Sequence, residues 1–281
     1  MFRIVNRVFL QDTIYFIVYK CLRYRVGVVT ENLRNSFPDR PMAEIKRIRR
    51  SFYHNLSEIF ISTVSQAAMS DDDCRRRVRV KNLDEVLSDL RGRDALLSTA
   101  HFGCWEYDSF LALYTGEHYL AAVYHPLENK VIDAVYMRLR RRRNIRLIPM
   151  KEIIRYYIDH RLPAGAPGQR IGIGLIADQN PPLRPNSHWF RFLNQDTVFF
   201  DGIEKMALKF HMPVYFCRQR RLRRGYYELE FLRLYDGVEQ VAPNEVTERY
   251  VRQLESDIVA DPGMWLWSHR RWKHRRPQCP S

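Results

Sequence analysis

The sequence predicts an α/β protein with a mixed, mainly parallel central sheet flanked by helices. Three observations support this fold class. From residue 95 onward, short apolar runs typical of strands alternate with helix-like segments. The run Ala95–Thr99 reads as a strand covered on both faces of the sheet. At 281 residues and 46% hydrophobic content, the chain can form one large domain rather than two.

The first predicted element is a helix at residues 1–22. Gln11 and Asp12 interrupt its apolar run, which does not reach the roughly 18 residues of a membrane span. Its tyrosines and basic flanks make it a candidate membrane-interfacial helix, but an ordinary amphipathic helix packed on the domain shows the same pattern. We therefore divide the chain into this helix and a single domain at 23–281.

The remaining elements follow from periodicity and turn residues. A helix is predicted at 41–68, followed by a charged turn at 71–77. The predicted strands are 95–99, 119–124, 146–149, 171–177, 213–218 and 226–233. The predicted helices are 105–114, 129–142, 151–160, 202–210 and 244–260. The Gly/Pro-rich stretch 162–168 is a connector within the domain.

Charge and cysteine content limit the partners and the compartment. The formal net charge is +14, mostly from arginine, whose forked guanidinium suits phosphate. This indicates nucleic acid or an anionic membrane surface as partner, unless the charge serves solubility alone. The five cysteines are scattered and odd in number, which favours a reducing compartment over a disulfide framework or a cysteine-rich zinc site. We recognise no signal peptide.

The strongest candidate for chemistry is His101, which closely follows the predicted strand 95–99. Ligands of open α/β sheets bind outside the carboxyl ends of the strands. Glu106 lies in the first turn of the next predicted helix, where its carboxylate can orient the imidazole and leave one ring nitrogen free to accept a proton from a hydroxyl. This spacing arises by chance in about half of chains with nine histidines, so the position of His101 supports the prediction more than the motif does.

Other polar clusters follow predicted elements at the same edge of the sheet. His125 comes directly after the strand 119–124, and Asp178 directly after the strand 171–177. The arginines of 138–143 close the predicted helix 129–142. A run of arginines can be only a solvated helix face, and Asp178 can be only a cap for the following turn.

Six ordered motifs carry a resemblance to a known family. They are Asn32-Leu-Arg-Asn-Ser-Phe-Pro38, His101-x4-Glu106, Tyr124-His-Pro-Leu-Glu-Asn129 with the Arg140 region, Asp178-Gln-Asn180, Trp189-Phe-Arg-Phe192-Leu193 through Thr197 and Gly202, and Met264-Trp-Leu-Trp267-Ser-His269-Arg270-Arg271-Trp272-Lys273. From about residue 13 to residue 273 the chain resembles the bacterial lipid A biosynthesis acyltransferases, the late acyltransferases of the lysophospholipid acyltransferase-like superfamily. The last motif is the most specific.

The resemblance implies transfer of a fatty acyl chain from an acyl carrier protein or coenzyme A thioester to a hydroxyl of a phosphorylated, lipid A precursor-type glycolipid. It implies that His101 is the general base and Glu106 its orienting carboxylate. Arg140 would stabilise the oxyanion, with backbone amides around Gly103 as helpers. The substrate-binding residues that it implies are Asp178, His125, Asn129 and Arg142.

The resemblance requires no metal, no cofactor and no covalent acyl-enzyme. Cys104 is therefore interpreted as a small filler, since nothing marks it as an activated nucleophile. The implied location is the cytoplasmic face of the bacterial inner membrane, with an anionic membrane surface and no nucleic acid as partner. The chain departs from the family in three places. Its N-terminal anchor is short, so either the anchor is truncated or residues 1–22 bind the membrane interfacially. Arg191 stands at a commonly apolar or proline position, where it would alter the acceptor groove, and Asn180 replaces an aspartate.

Other functions remain open on the sequence alone. Members of the same superfamily acylate aminolipids or mannosylated phosphoinositides, so the acceptor is a family-level inference. A basic nucleic-acid-binding protein would explain the charge but not His101 and Glu106 at a strand end. A metal-dependent hydrolase built on His101, Glu106, His125 and Asp178 lacks a local ligand spacing such as His-Glu-x-x-His.

Overall fold

The computed structural model describes residues 2–116, 118–124, 145–163 and 166–276, with side chains from Phe9 onward. The predicted helix 129–142 lies outside these residues. The strands are β1 Val78–Val80, β2 Ala95–Thr99, β3 His118–Tyr124, β4 Arg146–Pro149, β5 Arg170–Ile176, β6 Trp189–Phe192, β7 Gln195–Val198, β8 Val214–Arg223 and β9 Tyr226–Tyr235. All six predicted strands are present within a few residues of their expected bounds.

Seven strands form the central sheet in the order β1-β9-β8-β2-β5-β3-β4. Every neighbouring pair is parallel except β8 and β9, which form an antiparallel hairpin. Strands β6 and β7 form a separate antiparallel pair. The predicted fold class, a mixed and mainly parallel sheet flanked by helices, is confirmed.

The α-helices are α1 Phe2–Tyr15, α2 Val26–Ser36, α3 Met42–Ser65, α4 Asp71–Arg77, α5 Leu83–Asp89, α6 Ile153–His160, α7 Gly202–Phe210 and α8 Glu245–Ala260. Short 3₁₀ helices span Gln66–Ala68, Trp105–Leu113 and Pro262–Met264, and a π-helical turn spans Phe16–Cys21. The segment 105–114 was predicted as a helix but winds as 3₁₀, with consequences for the site.

The charged turn predicted at 71–77 is wrong, because these residues form helix α4. Ser70 caps the helix: its Oγ accepts the backbone N–H of Asp73, while the Asp73 carboxylate accepts the N–H of Ser70. Three aspartates occupy the first turn and three arginines the last. The negative charges lie at the positive end of the helix dipole and the positive charges at its negative end. Both placements stabilise a segment that has almost no apolar residues.

The core lies on both faces of the sheet, as the apolar β2 run predicts. Ala95 and Leu96 of β2 are fully buried, and so are Ile171 and Ile173 of the adjacent β5. A leucine or isoleucine buried this deeply contributes roughly 1.5–3 kcal/mol. The two strands whose carboxyl ends carry the candidate residues are therefore held at the centre of the sheet.

The N-terminal helix is present, and one of its faces packs on the domain. The ring of Tyr15 stacks on His54 of α3 at 3.8 Å between centroids, and Tyr19 stacks on Tyr53 at 4.5 Å. Its other face leaves Phe9 74% and Phe16 58% exposed. Within the described parts of the chain, no helix combines the length and the apolar character needed to cross a membrane.

Candidate active site

The carboxyl ends of β2 and β5 bring His101 and Asp178 together. The two strands are parallel neighbours, with Thr99 opposite Ile176 at their last pair. Each candidate residue follows its strand by two positions. Parallel strands place such residues at the same edge of a sheet, which is where the sequence predicted the chemistry.

The imidazole of His101 is held by the Asp178 carboxylate. Nδ1 of His101 lies 2.7 Å from Oδ1 of Asp178, and Oδ2 accepts the backbone N–H of His101 at 3.0 Å. The indole N–H of Trp265 also donates to Oδ2, at 2.8 Å. Because a carboxylate only accepts hydrogen bonds, Nδ1 carries the ring proton and Nε2 keeps its lone pair. This is the tautomer that a general base needs.

Asp178 is almost completely buried, with 2% of its side chain exposed. Burial alone would raise the pKa of its carboxyl, but the field of His101 and the hydrogen bonds from His101 and Trp265 outweigh it. The net result is a pKa below the ordinary value for an aspartate. The carboxylate is therefore negatively charged at neutral pH and can stabilise an imidazolium.

The Nε2 atom of His101 faces the side chain of Gln179. The amide nitrogen of Gln179 lies 3.2 Å from Nε2, and because Nε2 is the unprotonated nitrogen, the amide donates to it. A substrate hydroxyl would take the same place. With 17% of its side chain exposed, His101 is within reach of such a substrate.

The predicted contact from Glu106 to the imidazole is replaced by the one from Asp178. Glu106 belongs to the 3₁₀ helix Trp105–Leu113, and its side chain is buried and lines a mainly apolar cavity. The neighbouring Trp105 stands beside His101 instead, edge to face at 5.1 Å between ring centroids. Asp178 thus occupies the ring nitrogen at which an orienting contact was expected from Glu106. The role of Glu106 in the reaction stays a prediction.

The loop after β2 is fixed by the C-terminal segment. Phe102 and Trp265 form an antiparallel bridge, the N–H of Gly103 donates to the Met264 carbonyl at 2.9 Å, and the N–H of Leu266 donates to the His101 carbonyl at 3.0 Å. Gly103 has φ +65°. A Cβ at this position would lie 2.1 Å from Oε1 of Gln219, so the close packing requires glycine.

The backbone amides near Gly103, expected to help bind the oxyanion, are already occupied. The N–H of Phe102 donates to the Ala100 carbonyl, that of Gly103 to Met264, and that of Cys104 to the side chain of Gln219. The expectation that they serve as oxyanion donors is therefore wrong for this arrangement.

A partly buried polar cluster of Thr99, Asp108 and Gln219 adjoins the loop. The amide of Gln219 donates to Oδ1 of Asp108 at 3.1 Å, and Thr99 donates to Oδ2 at 2.7 Å. Burial raises the pKa of Asp108 to about 7 despite these hydrogen bonds. Burial also raises the pKa of the fully enclosed Cys104 thiol, which supports its interpretation as a filler rather than a nucleophile.

The turn that carries Asp178 is tied to the C-terminal segment by Arg271. Its guanidinium donates to Oδ1 of Asn180 at 2.8 Å and to the Val198 carbonyl at 2.6 Å, and it lies 4.5 Å above the Phe199 ring. Arg271 is 3% exposed, and burial lowers its pKa to about 10. A buried guanidinium with these partners fixes the turn in place.

A small apolar cavity adjoins the site, with a volume of about 100 Å³. It lies between the 3₁₀ helix Trp105–Leu113 and the strands β2, β3 and β5, and Cys217 of β8 also lines it. Trp105, which contacts His101, forms part of its wall. The cavity therefore begins next to the candidate base.

Four of the predicted site residues, His125, Asn129, Arg140 and Arg142, lie outside the described residues. In the parts of the chain that the structure describes, the His, Cys, Asp and Glu side chains form no group of three that could hold a metal ion. Sequence reasoning missed the roles of Gln179, Gln219, Trp265 and Arg271. Gln219 stands between Arg218 and Arg220 and carries no distinct signal in the sequence. The signal for the other three residues is their place in recognised motifs.

Comparison with known proteins identifies the family. The model of the bacterial lipid A biosynthesis acyltransferases matches residues 9–274, nearly the whole chain, and so includes both His101 and the C-terminal segment that holds its loop. No individual curated protein gives a significant match. On the extent of the family match, the chain belongs to the bacterial lipid A biosynthesis acyltransferase family.

Proposed function

We propose that this acyltransferase moves a fatty acyl chain from an acyl carrier protein or coenzyme A thioester to a hydroxyl of a lipid A precursor-type glycolipid. Membership of the family supports the substrate class. The single observation that supports the mechanism is the contact between His101 Nδ1 and the Asp178 carboxylate, which leaves Nε2 as a base.

In the proposed reaction, Nε2 of His101 displaces the Gln179 amide as its partner and accepts the proton of the acceptor hydroxyl. The hydroxyl oxygen then attacks the thioester carbonyl carbon and forms a tetrahedral oxyanion. When the carbon–sulfur bond breaks, the imidazolium returns the proton to the leaving thiolate. Asp178 stabilises the imidazolium between these two proton transfers and remains ionised throughout.

The oxyanion requires a positively charged or N–H donor close to the carbonyl oxygen. Since the amides of residues 102–104 are already bonded, we assign this role to Arg140, as the family resemblance implies. His125, Asn129 and Arg142 keep their proposed roles in substrate binding.

We assign the cavity beside Trp105 to one end of the bound acyl chain. The lining of this cavity is mainly apolar, as a hydrocarbon chain requires. Gly174 lies in this wall, and a Cβ added there would meet only the Ala121 carbonyl, at 3.9 Å. Gly174→Ala should shift the preferred donor to a chain shorter by roughly one methylene, as expected for a lost methyl-sized volume. Gly202→Ala, on α7 with open space around it, is the matched control. An unchanged chain-length profile in Gly174→Ala would contradict this assignment.

The proposed function is tested by incubating the purified protein with acyl carrier protein or coenzyme A thioesters and a phosphorylated glycolipid acceptor. Mass spectrometry should detect one added acyl chain, and His101→Ala should abolish the product. Acylation of an aminolipid or a mannosylated phosphoinositide, but not of the glycolipid, would instead support the alternative acceptors.

The exposed apolar side chains of the N-terminal helix support docking on a membrane surface, which we propose to be the cytoplasmic face of the bacterial inner membrane. Phe9 and Phe16 are exposed on the helix, and Phe60 is 58% exposed on α3, against which the helix packs. Replacing Phe9 and Phe16 by serine should weaken sedimentation with anionic vesicles. Leu208→Ser, which removes an exposed leucine of α7, is the control. Equal binding by all the variants would contradict membrane docking through this helix.

A further inference from the structure

A groove of about 820 Å³ runs between α2 and the segment 270–276. Asn32 and Asn35 of α2 and Gln195 of β7 contribute polar groups to its lining. Its cations all come from the C-terminal segment: Arg270, Lys273, Arg275 and Arg276. Its volume falls within the range of sites that bind small molecules.

Among the described residues, none of these four cations forms an ion pair. Within residues 2–116, 118–124, 145–163 and 166–276, no carboxylate lies within 4.0 Å of the side-chain nitrogens of any of the four. Glu31 and Asp196 also line the groove, so the four cations exceed its carboxylates by two. Elsewhere in the fold, Arg249 and Arg252 each pair with two carboxylates. The groove therefore carries an excess positive charge that a bound anion would neutralise.

The groove is connected to the candidate active site through a short path of contacts. The carbonyl of Arg270 accepts the side-chain N–H of Asn180 at 2.7 Å. Asn180 belongs to the same turn as Asp178 and as Gln179, which contacts His101. The segment that supplies the cations of the groove is therefore attached directly to the turn that orients the imidazole.

We propose that this groove binds a phosphate ester of one of the substrates. The inference rests on the proposed function, which supplies two substrates that carry phosphate: the glycolipid acceptor and the pantetheine-containing donor. Arginine forks bind phosphate oxygens in pairs, and Lys273 adds a point charge. The phosphate would anchor the substrate while its reacting atom lies at the strand ends.

The test compares two charge-matched triple variants of the full chain. Lys273→Gln/Arg275→Gln/Arg276→Gln removes three exposed cations of the groove. The control, Arg79→Gln/Arg91→Gln/Lys209→Gln, removes three exposed cations outside the groove. Arg79 lies on β1, whereas Arg91 and Lys209 precede the amino ends of β2 and β8, opposite the strand ends that carry His101. Both variants lose the same net charge, so a general electrostatic effect would appear in both.

Equilibrium binding is measured with four probes: a disaccharide bisphosphate glycolipid, the same glycolipid without phosphates, acyl-coenzyme A and acyl-pantetheine. The groove variant should lose about tenfold or more in affinity for one phosphate-bearing probe and keep its affinity for the phosphate-free counterpart. A loss for the bisphosphate glycolipid assigns the groove to the acceptor, and a loss for acyl-coenzyme A assigns it to the donor.

The proposal is overturned if the groove variant binds all four probes as the unmodified protein does. It is also overturned if phosphate-bearing and phosphate-free probes are weakened equally, if the control variant shows the same losses, or if the only change is weaker binding to anionic vesicles. The last result would make the groove a membrane contact. Because binding is measured without turnover, a protein that binds phosphate here but transfers no acyl chain would refute the proposed function and leave this inference standing.

Discussion

The imidazole Nδ1 of His101 and the carboxylate of Asp178 lie 2.7 Å apart, although 77 residues separate them in the chain. The contact joins the ends of two neighbouring parallel strands. The same carboxylate accepts the backbone N–H of His101, so the loop and the ring are positioned by one side chain. This arrangement fixes both the tautomer of the base and the direction of its lone pair.

The first prediction asks which carboxylate orients the base. Asp178→Asn should lower kcat/KM for acyl transfer by ~10²–10⁴-fold, because an amide cannot stabilise the imidazolium by charge. It should also remove the proton NMR signal of the hydrogen-bonded Nδ1–H of His101. Thioester consumption measures the first effect.

Glu106→Gln is the matched variant for this prediction. It should retain the Nδ1–H signal whatever it does to the rate, since the structure places Asp178 on that nitrogen. Loss of the signal in Glu106→Gln, with the signal retained in Asp178→Asn, would return the orienting role to Glu106. Circular dichroism melting checks that both variants fold.

The second prediction concerns the pH dependence of stability at Asp108. Its pKa is about 7 in the folded state, above the ordinary value near 4, so between these values the folded protein binds more protons than the unfolded chain. Stability from this group should therefore fall as the pH rises from about 4 to about 7, by at most ~1.4 kcal/mol per pH unit.

Asp108→Asn tests this expectation because it cannot ionise. Urea unfolding at pH 5 and pH 8 should show a smaller pH-dependent loss in the variant than in the unmodified protein. If both proteins lose stability in parallel, Asp108 does not titrate in this range.

The third prediction separates backbone strain from close packing at Gly103. Gly103→Ala meets both a positive φ and a Cβ placed against Gln219. Gly116→Ala meets only the positive φ, since nothing lies within 4 Å of its Cβ. We expect the Gly116 variant to lose about 1 kcal/mol and the Gly103 variant clearly more, measured as the free energy of unfolding in urea. Equal losses would mean that Gln219 moves aside at no cost.

The fourth prediction compares two adjacent arginines. Arg271→Lys should lower the free energy of unfolding by roughly 2–4 kcal/mol, because a lysine cannot serve both Asn180 and the Val198 carbonyl and leaves a buried acceptor unpaired. Arg270→Gln, at an exposed side chain, should stay within about 0.5 kcal/mol. Similar effects at both positions would contradict the assignment of Arg271 as the buried link between the turn and the C-terminal segment.

Much of the fold follows from local sequence patterns. The strand β2 and the helix α7 have the predicted bounds, because a short apolar run and an amphipathic period are local properties. Helix α4 was missed since its stability comes from a capping box and charge placement rather than from apolar periodicity. The separate antiparallel pair β6 and β7 was also missed.

The candidate site could be predicted in part for the same reason. Two polar residues at the ends of buried strands indicated the place of the chemistry, but not which carboxylate would reach the imidazole. That choice depends on the 3₁₀ winding after Cys104 and on the indole of Trp265, which a distant segment supplies. Such long-range contacts leave no periodic signal in the sequence.

The bridge between Phe102 and Trp265 joins a segment that the ribosome makes early to one that it makes late. A ribosome makes β2 and His101 early, whereas the segment that closes the loop, Met264–Leu266, emerges only near the end of the domain. A nascent chain can therefore fold much of its sheet while the base is still unfixed. We therefore expect a chain that ends before Met264 to leave the His101 loop without these contacts and to lack a fixed base.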